Sequence, residues 1–322
     1  MYTSYKQLVI WAFAGFAMSF GMNLGGMAHA SSLSFFDIFG TGHFSATYHP
    51  SLLIVFISGL LPAILYWQFY KRGPTPWWET QWHIPTNTVI DRWLIGGSII
   101  FGLGWAVGGF CPGPSVSGLI TGHPAYVAFS YGMYFYILAR SFIHGEGEHH
   151  WGVSVALGLV PLAFYFVGPI YFPLKQVLPF PTWPVKYSIM GGLSIGISSI
   201  IFAQFLGRIL GISNIWRHIL NLRHPPNSRV PHILFFLFFL FGSVVVYWIA
   251  PQAFAEPPYA DRPRIYAVIG GALVGLGTEW ANGCTSGHGI CGVSRLGIRS
   301  LVAVPTFMAS VFAFLPIVNT LI

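Results

Sequence analysis

The chain alternates long apolar runs with short polar or glycine-rich intervals. Apolar runs fall at 8–27, 51–70, 93–110, 124–143, 151–172, 185–206, 231–250, 265–282 and 300–320. Each approaches the about 17 to 25 residues that a helix needs to cross a bilayer. The pattern predicts an all-α polytopic membrane protein with about nine transmembrane helices. Shorter stretches at 31–39, 115–121, 209–220 and 289–296 are too brief to span and read as half-helices. Lipid cannot hydrogen-bond exposed amides, so such breaks at membrane depth imply a shared interior cavity.

Two of the breaks look like copies. Gly102, Leu103, Gly104 and Cys111 align with Gly275, Leu276, Gly277 and Cys284 at a shift of 173 positions. Gly26 pairs with Gly207 in the same way, at a shift of 181. A matched pair of interrupted hydrophobic segments points to a binding site between two transporter halves. The expected organisation is a first repeat over 1–150, a linking helix within 151–184 and a second repeat over 185–322, inverted by the odd helix between them.

Composition sharpens this reading. Hydrophobic residues make up 54% of the 322 positions and charged residues only 7%, against about 25% charged in a soluble domain. The formal charge of +7 is dispersed between apolar runs; a nucleic-acid binder would concentrate it in a stripe, so no nucleic-acid partner is expected. The basic residues read instead as loop anchors beside membrane lipid. Lys6, Lys71, Arg72, Arg92, Arg140, Arg208, Arg217, Arg223 and Arg229 fall on one side, which the positive-inside rule makes cytoplasmic together with the N-terminus. The first apolar run ends near Ala28-His29-Ala30, which mimics a signal-peptide cleavage site. Its recurrence at 189–207 assigns it to the fold.

Three cysteines in so long a chain make no disulfide framework and need separate accounts. Singly, Cys111 or Cys284 reads as a small buried hydrophobe; equivalent positions at two helix breaks favour a shared function. Around Cys284, Gly283, Gly287, Gly289 and Gly292 allow close backbone approach, while Thr285, Ser286 and His288 supply polar groups. Around Cys111, Pro112 suits a helix start, Gly113 permits approach and Ser115 adds a hydroxyl. Cys291 aligns with Gly118, a weaker case. Cys284, His288 and Cys291 also have metal-like spacing, but the glycines argue against one continuous helix and a fourth ligand is missing. No metal or other cofactor is expected. The run from His144 to His150 reads as a solvated turn rather than a metal loop. Glu279 reads either as a coupling carboxylate or as a partner of Arg295 or Arg299.

The stretch from Asn282 to Gly289, continued by Cys291, Gly292 and 295–301, resembles the YeeE/YedE family of sulfur-compound transporters. The element from Gly207 to Ser213, Cys111 to Pro114, Gly26 with Met27, and Phe35 to Asp37 resemble its other conserved elements, with both halves fused. The resemblance implies a non-enzymatic inner-membrane importer of thiosulfate or a related anion. Cysteine thiols pass the anion through a central constriction by transient hydrogen bonds, with Cys284 and Cys111 as the central pair. The residues carried over as substrate-binding are Cys111, Cys284, Cys291, Ser115, Thr285, Ser286, His288, Gly113 and Gly287. A soluble sulfurtransferase on the cytoplasmic face would be a fitting partner. Two departures stand out: residues 21–32 lack the cysteine some members carry there, and Glu279 replaces an expected basic residue. Two alternatives stay open, a small-solute channel with inert cysteines and a thiol oxidoreductase cycling Cys284 with Cys291.

Overall fold

The computed structural model describes residues 4–29, 31–36, 50–70, 73, 75–143, 158–173, 183–220, 226–254, 259 and 261–321. It is all-helical apart from an isolated bridge between His83 and Arg208. In chain order the helices are α1 (Tyr5–Leu24), α2 (Ser31–Ser34), α3 (Ser51–Leu65), α4 (Arg92–Gly108), α5 (Pro112–Gly118), α6 (Pro124–Ile143), α7 (Val160–Tyr171), α8 (Val185–Leu206), α9 (Ile212–Leu220), α10 (Pro226–Ile249), α11 (Arg264–Trp280) and α12 (Ile298–Leu321). A π-helical segment, Thr285–Gly292, lies between α11 and α12. Every predicted apolar run carries a helix, and six are long and apolar enough to cross a membrane: Tyr5–Leu24, Ser51–Tyr70, Arg92–Thr121, Val185–Leu206, Ser228–Ile249 and Ile298–Leu321. Of the remaining three, α7 is only 12 residues long within the described part of its run and α11 is 17. The loop 144–150 and residues 37–39 of the first predicted half-helix lie outside the described residues.

Helix packing repeats itself. The pairs α1 with α8 and α4 with α11 each join equivalent elements, while α1 with α10 is matched by α8 with α3, and α11 with α6 by α4 with α12. Glycines set the closest of these approaches. A Cβ at Gly97 would lie 2.9 Å from the Gly277 carbonyl oxygen, and one at its equivalent Gly270 would lie 2.8 Å from that of Gly104. The reverse contacts agree, with 2.7 Å from Gly277 to Gly97 and 2.9 Å from Gly104 to Gly270. Such backbone-to-backbone contact lets small residues pack helices where lipid offers no hydrophobic driving force.

The helices run in opposed directions. Gln7, at the start of α1, donates to the Trp78 carbonyl, and the Trp77 and Trp78 amides donate to the carbonyls of Gln204 and Phe205 at the end of α8. That face also holds the Arg299–Asp91 pair at 2.9 Å, joining the starts of α4 and α12. It holds the Arg140–Glu279 pair at 2.7 Å, joining the ends of α6 and α11. The second pair corrects the expectation for Glu279. Its carboxylate accepts from Arg140 and from the Tyr136 hydroxyl, not from Arg295 or Arg299. Arg140 belongs to the other half of the chain, and its closeness follows from α6 packing on α11.

The breaks themselves begin earlier than periodicity suggested. The predicted 289–296 segment is Thr285–Gly292, directly after Cys284, and the predicted 115–121 segment is α5 from Pro112, continued by one 3-10 turn, Leu119–Thr121. Gly283 lies before the 285–292 segment, while Gly287, Gly289 and Gly292 sit within it; that segment takes the wider π-helical winding. Both breaks follow a left-handed residue at the same repeat position, Gly109 at φ 84° and Asn282 at φ 57°. Glycine reaches that region without a Cβ clash, and asparagine is among the few other residues that visit it routinely.

Candidate functional site

Cys111 and Cys284 occupy equivalent places, each with extended backbone immediately before a short helix. All three cysteines are free and buried. The sulfur of Cys111 lies 3.4 Å from the Thr285 hydroxyl oxygen, so the two halves of the chain touch at the first cysteine. The sulfur of Cys284 lies 3.2 Å from the Ser286 hydroxyl oxygen. That hydroxyl in turn accepts the amide of Ile212 at 3.2 Å, which ties in the start of α9. Three short helices thus converge on two thiols and two hydroxyls; α5 opens on Pro112, which has no amide hydrogen, while the first amides of the other two lack intrahelical partners.

Cys291 turns elsewhere and donates to the Leu210 carbonyl at 3.4 Å, just upstream of α9. His288 spends both ring nitrogens, one 2.9 Å from the Ser300 hydroxyl and the other 3.0 Å from the Ala281 carbonyl. Cys284, His288 and Cys291 therefore face different partners. Among the described residues no group of three His, Cys, Asp or Glu side chains is placed to hold a metal ion. Ser115 is buried with its hydroxyl donated to the Pro112 carbonyl at 2.9 Å, inside its own helix. Gly113 is a packing position, since a Cβ there would meet the Met22 sulfur at 2.8 Å and Ile212 at 2.9 Å. Gly287 is open by contrast; a Cβ there would find only the Gly211 Cα, at 3.9 Å.

Two unlike spaces border the residues next to the cysteine pair, Thr285 and Ser286 for one and Gly283 and Gly287 for the other. On one side is a small apolar chamber of about 70 Å³, to which Met18, Met22, Met27 and Met308 contribute beside Thr285 and Ser286. On the other is a polar vestibule. One lobe, about 160 Å³, is bounded by Asn282, Gly287, His288, Arg295 and Arg299. A larger lobe, about 260 Å³, is bounded by Arg208, Arg217, Asn214, His218 and His232. Ile209 and Asn214 line both. Sequence reasoning missed Asn214 and Asn282 as wall residues, took Arg217 as a topology marker, and took Arg208 as a topology marker within the 207–213 family element. Their grouping depends on α9 folding back beside the 285–292 segment, which no local pattern announces.

A buried polar relay braces the first cysteine's helix. Ser117 of α5 donates to the Asn23 side-chain oxygen at 2.9 Å, and Asn23 donates to Ser19, itself 2.7 Å from Ser243 of α10. Each of these groups is fully buried, and a satisfied network of this kind fixes geometry more firmly than apolar packing alone.

Residues 139–313 match a family described as sulphur transport, and residues 6–149 match a family of unknown function, DUF6691. A probable transporter of Xylella fastidiosa (strain 9a5c) is 37% identical over 124 residues, covering 38% of this chain and 87% of that relative. A second probable transporter of the same strain is 38% identical over 110 residues, covering 34% of this chain and 72% of the relative. Each relative is thus shorter than half of this chain.

Proposed function

The chain belongs to the sulphur-transport family and is a multi-pass membrane transporter; from that premise we propose that it takes up thiosulfate or a closely related sulfur-bearing anion. Two halves, 1–150 and 185–322, act as inverted repeats joined by 151–184, and the anion crosses between them at Cys111 and Cys284. The observation that carries the reading is the matched placement of the two thiols, each beside a hydroxyl that lines the apolar methionine chamber.

A dianion entering a low-dielectric constriction must exchange its water for oriented donors. Thr285 and Ser286 supply hydroxyls, and the amides opening the short helices add a partial positive charge. A neutral thiol donates weakly to a soft terminal sulfur, which a sulfate ion lacks. Weak donation also permits release, because conduction fails when a site holds its ion too tightly. The thiols make no covalent bond to the anion in this scheme. Cys291, bonded away to Leu210, holds the vestibule wall rather than the anion, and Ser115 and Gly113 support the helix that presents Cys111.

Lys6, Arg92, Arg140, Arg208, Arg217, Arg229, Arg295 and Arg299 gather on the face that receives the start of α1, against Lys186, Arg262 and Arg264 at the other. By the positive-inside rule that face is cytoplasmic, which puts the membrane in the cell's inner envelope, the vestibule at the exit and any soluble sulfurtransferase beside it.

Uptake of labelled thiosulfate into proteoliposomes, run for the parent, Cys111→Ala and Cys284→Ala, tests the scheme. Loss in both variants with folding retained is the expected result. Uptake that survives both substitutions would remove the thiols from the mechanism and leave a channel with inert cysteines. A parent that fails to take up thiosulfate would overturn the substrate assignment.

A further inference from the structure

We propose that the larger lobe of the vestibule is a second oxyanion site, separate from the cysteine constriction, which holds a tetrahedral dianion of the sulfate and thiosulfate class between Arg208 and Arg217. The inference deepens the transport reading and rests on it only for the direction in which the anion arrives.

Arginine charges usually come neutralised by carboxylates, and near this cavity the carboxylates are committed elsewhere. Glu279 is engaged by Arg140 and Tyr136, and Asp91 by Arg299. Arg217 is oriented by neutral acceptors instead: its guanidinium donates to the Asn214 side-chain oxygen at 2.9 Å and reaches that of Asn282 at 3.4 Å. The two amides aim the charge; Glu279 lies within electrostatic reach of it, but its carboxylate oxygens are hydrogen-bonded to Arg140 and Tyr136. Arg208 is exposed at the rim of the same cavity and forms no ion pair within 4.0 Å among the described residues. A planar guanidinium presents paired N–H donors that match two oxygens of a tetrahedral anion. The lobe's about 260 Å³ admits such an ion with part of its hydration.

The site is also on the way. Gly211 borders the larger lobe and Gly287 the smaller one; a Cβ on either would be in ordinary contact with the other's Cα, at 3.7 and 3.9 Å, with the Asn214 side chain beside Gly211. An anion released beside Cys284 meets two glycines and the Asn214 amide there rather than a bulky apolar side chain. A cationic cleft with low-dielectric walls raises the local concentration of anions, so the vestibule draws the ion off the weak thiol site and keeps the constriction from refilling with the ion it has just passed.

The test is titration calorimetry of sodium sulfate and, separately, sodium thiosulfate into the purified full chain at fixed ionic strength. The parent and the Cys111→Ala/Cys284→Ala double variant are both expected to bind both anions saturably. Arg208→Gln and Arg217→Gln are each expected to weaken that binding about tenfold or more, the loss of one charge-assisted hydrogen bond, with Arg217→Lys intermediate. Arg208 makes no side-chain bond that folding depends on, so its variant keeps the test interpretable if Arg217→Gln unfolds. Unchanged binding in Arg208→Gln and Arg217→Lys overturns the inference, as does binding that disappears with the two cysteines. Failure of thiosulfate uptake in the parent would count against the substrate assignment and leave this binding measurement standing.

Discussion

Replacing Ser286 by alanine cuts the joint between the second cysteine and α9. The hydroxyl accepts the Ile212 amide at 3.2 Å and lies 3.2 Å from the Cys284 sulfur. Ile212 opens its helix, so its amide is one of four with no intrahelical acceptor. Leaving that buried donor unpaired costs about 1–3 kcal/mol. The thiol–hydroxyl contact adds about 0.6 kcal/mol, with about 1.7 kcal/mol as a ceiling for hydrogen bonds inside membrane proteins. Ser286→Ala is therefore expected to lower unfolding free energy in detergent by about 1.5–4 kcal/mol, and Ser286→Thr, which keeps the oxygen, by much less. A double-mutant cycle with Cys284→Ala separates the two parts, since only the thiol contact couples those positions. A Ser286→Ala protein within about 0.5 kcal/mol of the parent, the range of an uninvolved surface site, would refute the reasoning.

Other consequences are as direct. Gly104→Leu and Gly277→Leu each drive a side chain into a facing backbone carbonyl, so both should destabilise the folded protein by about 3 kcal/mol, the upper end for overpacking; thermal unfolding in which one is tolerated and the other unfolds would break the equivalence of the two contacts. Gly287→Leu meets only the Gly211 Cα at ordinary contact distance rather than a close backbone carbonyl, so uptake should fall while the unfolding midpoint stays near the parent's; full uptake would show that the space beside Gly211 is not a passage. Hydrogen bonding from Arg299, and then from the Leu94 amide, holds the Asp91 carboxyl below the usual carboxylate range. A depressed carboxyl stabilises the fold above its unfolded-state value of about 3.9 and loses that contribution as pH falls below it. Stability from this pair should be flat between pH 8 and 5 and decline under about pH 4, and Asp91→Asn should flatten that acid limb of a melting-temperature profile.

Much of the architecture was legible because lipid imposes a harsh rule on sequence. A spanning helix must be long and apolar, so all nine runs emerged as helices, and the pairing of Cys111 with Cys284 was visible in the aligned glycines. Local pattern failed where partners lie far apart along the chain. Nothing near Glu279 names Arg140, which is 139 residues away. Asn282 also hid its role, since only the structure reveals that it takes the left-handed turn Gly109 makes in the first half. The start of the last short helix was misplaced because glycines read as breakers; here Gly289 and Gly292 are the small residues that let π-helical winding pack against Phe56 of α3 and Ser300 of α12. The resemblance carries Ser115 and Gly113 over as anion contacts; in the structure the Ser115 hydroxyl donates to the Pro112 carbonyl inside α5, and Gly113 faces Met22 and Ile212.

In the proposed scheme the two halves share a scaffold but not its chemistry, and that difference would give transport a direction. At the shift that pairs Gly26 with Gly207, Arg208 is equivalent to Met27, Asn214 to Leu33 and Arg217 to Phe36. Met27 borders the apolar chamber, while Arg208, Asn214 and Arg217 border the vestibule. Equivalent positions are thus apolar in the first half, with Met27 at the chamber, and cationic or polar at the vestibule in the second. A soft, polarisable terminal sulfur suffers least in the methionine chamber, whereas the charged oxygens gain most among the arginines. An anion crossing sulfur end first would trade one environment for the other in a single step past Cys111 and Cys284. Exchanging the pairs, with Met27→Arg and Arg208→Met in one protein, should therefore depress uptake beyond the sum of the single variants' effects on folding, because it removes the asymmetry while leaving both thiols in place.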